Sequence, residues 1–202
     1  MMQSYTYRTI EAPANSEFKD RGSKFIGYSL LVDSIDQCKL KLKAIKELHP
    51  KATHHCFAYR LGIDNNNFRA SDDGEPSASA GKPILGAIDS MQVTNTMVVV
   101  VRYYGGTMLG VPGLINAYKT TANLALDLSE IIVQEQTKSA ELEFDYNLTS
   151  IVNQTITKLN AVDMQTANLL FCKKTVKIPM SKVDQAQEVF NKIHNLAFKW
   201  IN

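Results

Sequence analysis

The chain has too few cysteines to be held together by sulfur. Its 202 residues include three, Cys38, Cys56 and Cys172, odd in number and far apart. No Cys-x-x-Cys pair occurs, so neither a zinc knuckle nor a disulfide framework is indicated. Reduced thiols in a cytoplasmic protein are the simplest reading. No apolar run approaches the length needed to span a bilayer, so no membrane partner is expected, and the opening MMQSYTYRTIE lacks the apolar core of a secretory leader. A large charge of either sign is missing too: 22 Lys and Arg against 20 Asp and Glu leave +2. That balance does not point to a strongly basic nucleic-acid protein, but it leaves room for a local patch. No internal repeat or low-complexity segment is evident.

What is present is an ordinary globular composition, 45% hydrophobic and 21% charged, enough for one large or two small domains. All five arginines, Arg8, Arg21, Arg60, Arg69 and Arg102, lie in the first half. Guanidinium forks suit phosphate and carboxylate recognition, which makes that half the expected site carrier.

Hydrophobic patterning divides the chain near residue 135. In the first part, KFIGYSLLV (24–32) and HHCFAYRL (54–61) read as strands. Between them Ser34 is placed to cap a helix, with Gln37 completing a capping box. Ile35, Cys38, Leu42 and Ile45 recur at helical spacing, and Pro50 stops the run. The unbroken apolar run of NTMVVVVRYY (95–104) predicts a strand buried on both faces, in the middle of a sheet. A helix is expected over 114–131, with Leu114, Tyr118, Ala122 and Ala125 or Leu128 on one stripe. The second part reads strand (139–146), helix (149–160), strand (162–171), strand (173–180), helix (181–194, capped by Ser181) and strand (196–201). This is the split βαββαβ, ferredoxin-like order.

Three constellations bear chemistry. In VVRYYGGTMLGVPGL, Arg102, Tyr103 and Tyr104 end the buried strand. Gly105 and Gly106 follow, then a helix whose N-terminus offers unpaired N–H groups to an anion. The stretch is neither a Walker loop nor GxGxxG. His54 and His55 are neighbours in a strand and face opposite sides. His55 shares a face with Phe57, Tyr59 and Leu61 and reads as a core histidine; His54 shares the other with Cys56, Ala58 and Arg60. A metal site at either histidine would need further ligands.

The third, RASDDGEPSASAGKP (69–83), sets Asp72, Asp73 and Glu75 between Arg69 and Lys82. The carboxylates are of a type that holds Mg²⁺ or serves a glycosidase, but their spacing is not that of a calcium loop. Asp-Asp-Gly-Glu-Pro is also turn chemistry. No serine here sits in a GxSxG elbow.

HHCFAY, SDDGEPSASAGKPIL and VVVVRYYGGTMLGVPGLINAY, in that order and spacing, resemble the IMPACT family in its bacterial two-domain, YigZ-type form. The resemblance covers essentially the whole chain: residues 20–128 resemble the family's N-terminal domain and 138–202 the small C-terminal domain of its bacterial members. The sequence departs in two places, Ala78-Ser79 where Gly-Thr is frequent and Pro112-Gly113 where a small pair is frequent.

The resemblance implies an α+β protein. Its N-terminal α/β domain (1–135) would be like ribosomal protein S5 domain 2 and elongation factor G domain IV. Its ferredoxin-like βαββαβ domain (136–202) would be like elongation factor G domain V. Eukaryotic relatives regulate translation through an additional N-terminal domain, so that partnership does not transfer. For bacterial members the resemblance implies RNA or the ribosome as partner, with no established reaction; no catalytic residue, metal or cofactor is assigned.

The leading expectation is therefore a translation-associated binding protein. In it Arg102 and Lys82 meet phosphate, Tyr103 or Tyr104 stacks on a base, and the glycines permit close approach. The acidic DDGE group would position the cations, and His54 and Arg69 would complete the site. Two alternatives stand beside it. One is an enzyme acting on a nucleotide or phosphorylated substrate through the DDGE carboxylates, with His54 assisting. The other is a protein-interaction module. All the site readings require residues 54, 72–75, 82 and 102–106 to converge on one cleft.

Overall fold

The computed structural model describes residues 5–64, 66–168 and 170–201. Residues 1–4 of the opening stretch and residue 169 of the expected strand 162–171 lie outside these. The chain divides into two compact units, Tyr7–Gln134, and Glu135–Asn202 together with Met1–Thr6.

After a first strand, β1 (Thr6–Ile10), the first unit runs β2 (Ala14–Asp20), β3 (Ser23–Leu31), α1 (Ile35–Leu48), β4 (His54–Leu61) and β5 (Asn67–Ser71). It continues with α2 (Gly81–Ser90), β6 (Thr96–Tyr103) and α3 (Gly110–Asp127). A further strand, β7 (Ile131–Glu135), pairs with β1 in a separate two-stranded sheet.

The main sheet has the order β2-β3-β6-β4-β5, and every neighbouring pair in it is antiparallel. The valine run of β6 lies at its centre because helices cover both faces. Val98 and Val100 pack with Ile84 of α2 and Tyr118 of α3. Met97, Val99 and Val101 pack on the other side with Cys38 and Ile45 of α1. An apolar residue at every position, rather than at alternate ones, is what a strand buried on both faces requires.

Ser34 caps α1, its hydroxyl accepting the Gln37 N–H at 3.3 Å. The reciprocal bond from Gln37 goes to the Asp33 N–H rather than to that of Ser34. α3 begins four residues before the expected 114, because Pro112 stands in the first turn, where its missing N–H would have had no partner. α2 was hidden for the same reason: Pro83 falls in its first turn, and Gly-Lys-Pro reads as a turn.

The second unit runs β8 (Thr137–Phe144), α4 (Thr149–Lys158), β9 (Val162–Asn168), β10 (Cys172–Pro179), α5 (Val183–Asn191) and β11 (Leu196–Ile201). Its sheet order is β11-β8-β10-β9, antiparallel throughout. Phe144, Ile156, Val176, Ile178 and Phe190 are among its core. Ser181 does not cap α5. It falls in the 3-10 turn Met180–Lys182, and its own N–H donates to Glu135 Oε1 at 2.8 Å. Among the described residues no helix is long and apolar enough to cross a membrane.

Candidate functional site

The polar loop after β5 is wired mainly to backbone. Asp72 Oδ2 accepts the Ala78 N–H at 2.9 Å, while Oδ1 accepts those of Ala80 at 3.0 Å and Gly81 at 2.8 Å. Burial raises the Asp72 carboxyl, but the three N–H donors outweigh it and hold the group below the usual carboxylate range. Asp73, at φ +42, accepts the His55 N–H on Oδ2 at 2.7 Å and lies 3.4 Å from Lys46 Nζ through Oδ1. Both acids therefore tie the loop to α2, β4 and α1.

Glu75 is different. Its buried Oε1 accepts Arg102 Nη1 from β6 and the Tyr118 hydroxyl from α3, each at 2.7 Å. Arg102 is 5% exposed, with its guanidinium between the rings of Phe25 at 5.4 Å and Tyr104 at 5.5 Å. Nη2 donates to Ser23 Oγ at 3.3 Å, and Nε is buried with no partner. Removing one member of such a pair leaves a buried charge uncompensated, at a cost of about 3–5 kcal/mol.

Burial pushes the Tyr118 hydroxyl upward and the Cys56 thiol to about 12. Cys56 is thus an inert group beneath the site.

His54 stands beside the ion pair because the β4–β6 register sets it opposite Arg102. Its Nδ1 lies 2.8 Å from the Asp73 carbonyl, an atom that only accepts, so Nδ1 carries the proton. In the neutral ring Nε2 is then a bare acceptor, 3.8 Å from Glu75 Oε1. These groups floor an open cleft of about 470 Å³. Its walls are apolar, from Pro76, Met108, Leu109, Val111 and Leu114, and Tyr104 stands at the rim. Tyr104 is 49% exposed and Met108 82%.

The structure thus brings His54, Glu75, Arg102 and Tyr104 together and places the remaining candidates elsewhere. Tyr103 points to the α1 face, where its hydroxyl bonds His49 Nδ1 at 2.9 Å, and Tyr28 holds the other ring nitrogen at 2.6 Å. Arg69 lies on the edge strand, over the Phe57 ring at 5.9 Å, and lines a separate 280 Å³ hollow with Cys38 and Asp73. Lys82 is exposed on α2 and does not line the cleft.

Gly105 serves chain packing: a Cβ there would come within 1.9 Å of the Gly22 backbone. Gly106 has open space around it, and its φ of +85 makes the left-handed turn that follows β6. Gly105 is thus taken up by chain packing, whereas the backbone at Gly106 stays open.

His55 is buried and donates Nε2–H to the His49 carbonyl at 3.1 Å. Desolvation lowers its pKa, against that hydrogen bond and the Asp73 charge. Among the described residues no three His, Cys, Asp or Glu side chains form a group suited to a metal ion.

Sequence reasoning missed Tyr118, the apolar wall and Thr53, which also lines the cleft, as parts of the site. Tyr118 was legible only as a core position, and nothing in helical spacing says that its hydroxyl reaches Glu75.

Fold and cleft together define a two-unit α/β protein whose first unit carries one amphipathic site on the α2–α3 face of its sheet. Residues 21–126 match the family model of the Impact N-terminal domain. The chain is 33% identical over 180 residues to the IMPACT family member YigZ of Escherichia coli (strain K12), covering 85% of each. It is 38% identical over 134 residues to an IMPACT family member of Haemophilus influenzae, covering 65% of each. A crystal structure of "an hypothetical protein" superposes with a TM-score of 0.76 at 26% identity, over 99% of both chains. The chain belongs to the IMPACT family, with its bacterial, YigZ-type members.

Proposed function

We propose that this protein is a cytoplasmic, translation-associated binding protein that contacts RNA or the ribosome through its first unit, with the cleft beside Tyr104 as the point of contact. Family membership supports the connection to translation. The observation that carries the reading is the placement of Tyr104, half-exposed at the rim of the cleft and backed on one face by the Arg102 guanidinium. A tyrosine fixed in this way is a platform on which a base can stack, worth about 1–3 kcal/mol per base.

Phosphate contact passes from Arg102, whose charge Glu75 neutralises, to exposed cations such as Lys82 and Arg69. The division at 1–135 and 136–202 is part of the same proposal. The antiparallel β11-β8-β10-β9 sheet with its βαββαβ order supports a ferredoxin-like second domain resembling elongation factor G domain V. The helix-covered five-stranded sheet is offered as the ribosomal protein S5 or elongation factor G domain IV counterpart.

Filter binding of single-stranded and structured RNA at low salt tests the reading. We expect affinity that falls steeply with salt and that weakens about tenfold in Tyr104→Ala, a change at a half-exposed side chain. No affinity at low salt would overturn it.

One observation favours an enzyme acting on a nucleotide, namely the bare Nε2 of His54 beside Glu75. Asp72 and Asp73 are engaged by backbone N–H groups, so a general base would have to be His54. Turnover of nucleotides that is lost in His54→Gln would mark that case.

A further inference from the structure

We infer that the cleft is a subsite for one unstacked guanine base, an inference that rests on the RNA reading above and deepens it. Three features determine the ligand class. The first is charge. Arg102 and Glu75 neutralise each other at 2.7 Å and both are at least nine-tenths buried, so the floor offers polarity without net charge. A phosphate brought there would lose its hydration without gaining a free cation. An uncharged heterocycle fits instead.

The second feature is shape. A cavity of about 470 Å³ has apolar side walls and an aromatic ring at its rim, and it stays open to solvent along that rim. A planar group can enter, lie against Tyr104 and remain attached to a strand outside.

The third is the set of donors and acceptors. Glu75 Oε1, an acceptor, has His54 Nε2 at 3.8 Å, an acceptor in the neutral ring, and Arg102 Nη1 at 2.7 Å, a donor. Glu75 retains lone pairs beyond the two bonds that it accepts, and Nη1 and Nη2 of Arg102 each carry a second N–H beyond the bond that it makes. The Watson–Crick edge of guanine reads donor, donor, acceptor: the 2-amino group, N1–H and O6. It complements that set of two acceptors and one donor. Adenine and cytosine would each turn a ring-nitrogen lone pair toward the Glu75 carboxylate, and uracil would set a carbonyl against His54 Nε2. Leaving such buried groups unpaired is how a polar site rejects the wrong ligand.

The test uses the full chain and a series of oligouridine octamers with one central guanine, adenine, hypoxanthine or abasic position, measured by fluorescence anisotropy. Free guanosine and adenosine are followed in parallel by protein NMR. We expect guanine to bind at least about tenfold tighter than adenine or the abasic site. Hypoxanthine, which lacks only the 2-amino group, should fall between them, and His54→Ala should erase the difference between guanine and hypoxanthine.

Octamers that bind equally well whatever the central position would overturn the guanine subsite and leave the RNA reading standing. Saturable, guanosine-selective shifts at His54 and Tyr104 without oligonucleotide binding would uphold the subsite, identify a free nucleoside or nucleotide as its source, and sink the RNA reading. Neither oligonucleotide binding nor guanosine shifts would sink both. The wild-type series needs no variant, so the outcome stands even where His54→Ala fails to fold.

Discussion

Asp72 shows how a residue that looks chemical can be architectural. Its carboxylate takes three backbone N–H groups that open the loop into α2, so Asp72→Ala is expected to cost about 2 kcal/mol in urea unfolding. The pH dependence has a definite sign. The folded group titrates below its ordinary 3.8, so near that pH the unfolded chain binds more protons. The contribution is complete above that value and is lost as pH falls through the lower folded value. Asp72→Asn should reduce stability at neutral pH and flatten this acid limb, as read from urea midpoints between pH 7 and 3.

Ala78 makes the opposite case. It sits at φ +61, where an alanine is strained by about 1–2 kcal/mol. Ala78→Gly relieves that strain at the expense of unfolded-state entropy. We expect a net gain of about 0.5 kcal/mol, again read from the urea midpoint.

At the scale of elements, strands and helices with one strong period were legible and those without were not. The valine run of β6 and the capped α1 stand where patterning placed them. β2 and β5 escaped because ANSEFKD and NFRAS carry little apolar alternation, a consequence of their lying at the two edges of the sheet. α2 escaped because glycine and proline in a first turn look like loop. The turn after β6 is tied to the start of β3 by the contact of Gly105 with Gly22. Gly105→Ala is therefore expected to destabilise by more than about 2 kcal/mol, because backbone rather than a flexible side chain must move. Amide exchange should show the loss at the Ser23 end of the β3–β6 ladder first. Unchanged protection there would contradict the packing role.

For the molecule as a whole, the candidate site was half legible. His54, Glu75, Arg102 and Tyr104 were all named from the sequence, and the register of β4 against β6 brings the first and third together. That Tyr104 and not Tyr103 borders the cleft follows from strand alternation once the face of Arg102 is known. The covering of each face by helices is a tertiary fact that no local pattern states.

Arg102 is paired with Glu75 rather than free for phosphate. An arginine at the end of a central strand is buried, and a buried guanidinium is held by an acid. The proposed function depends on contact between RNA and the Tyr104 cleft. Ultraviolet crosslinking of the full chain to single-stranded RNA, with the modified peptides located by mass spectrometry, tests it most directly. We expect the principal crosslink in the peptide containing Tyr104, lost in Tyr104→Ala. Crosslinks confined to other surfaces, with that peptide unmodified, would contradict it.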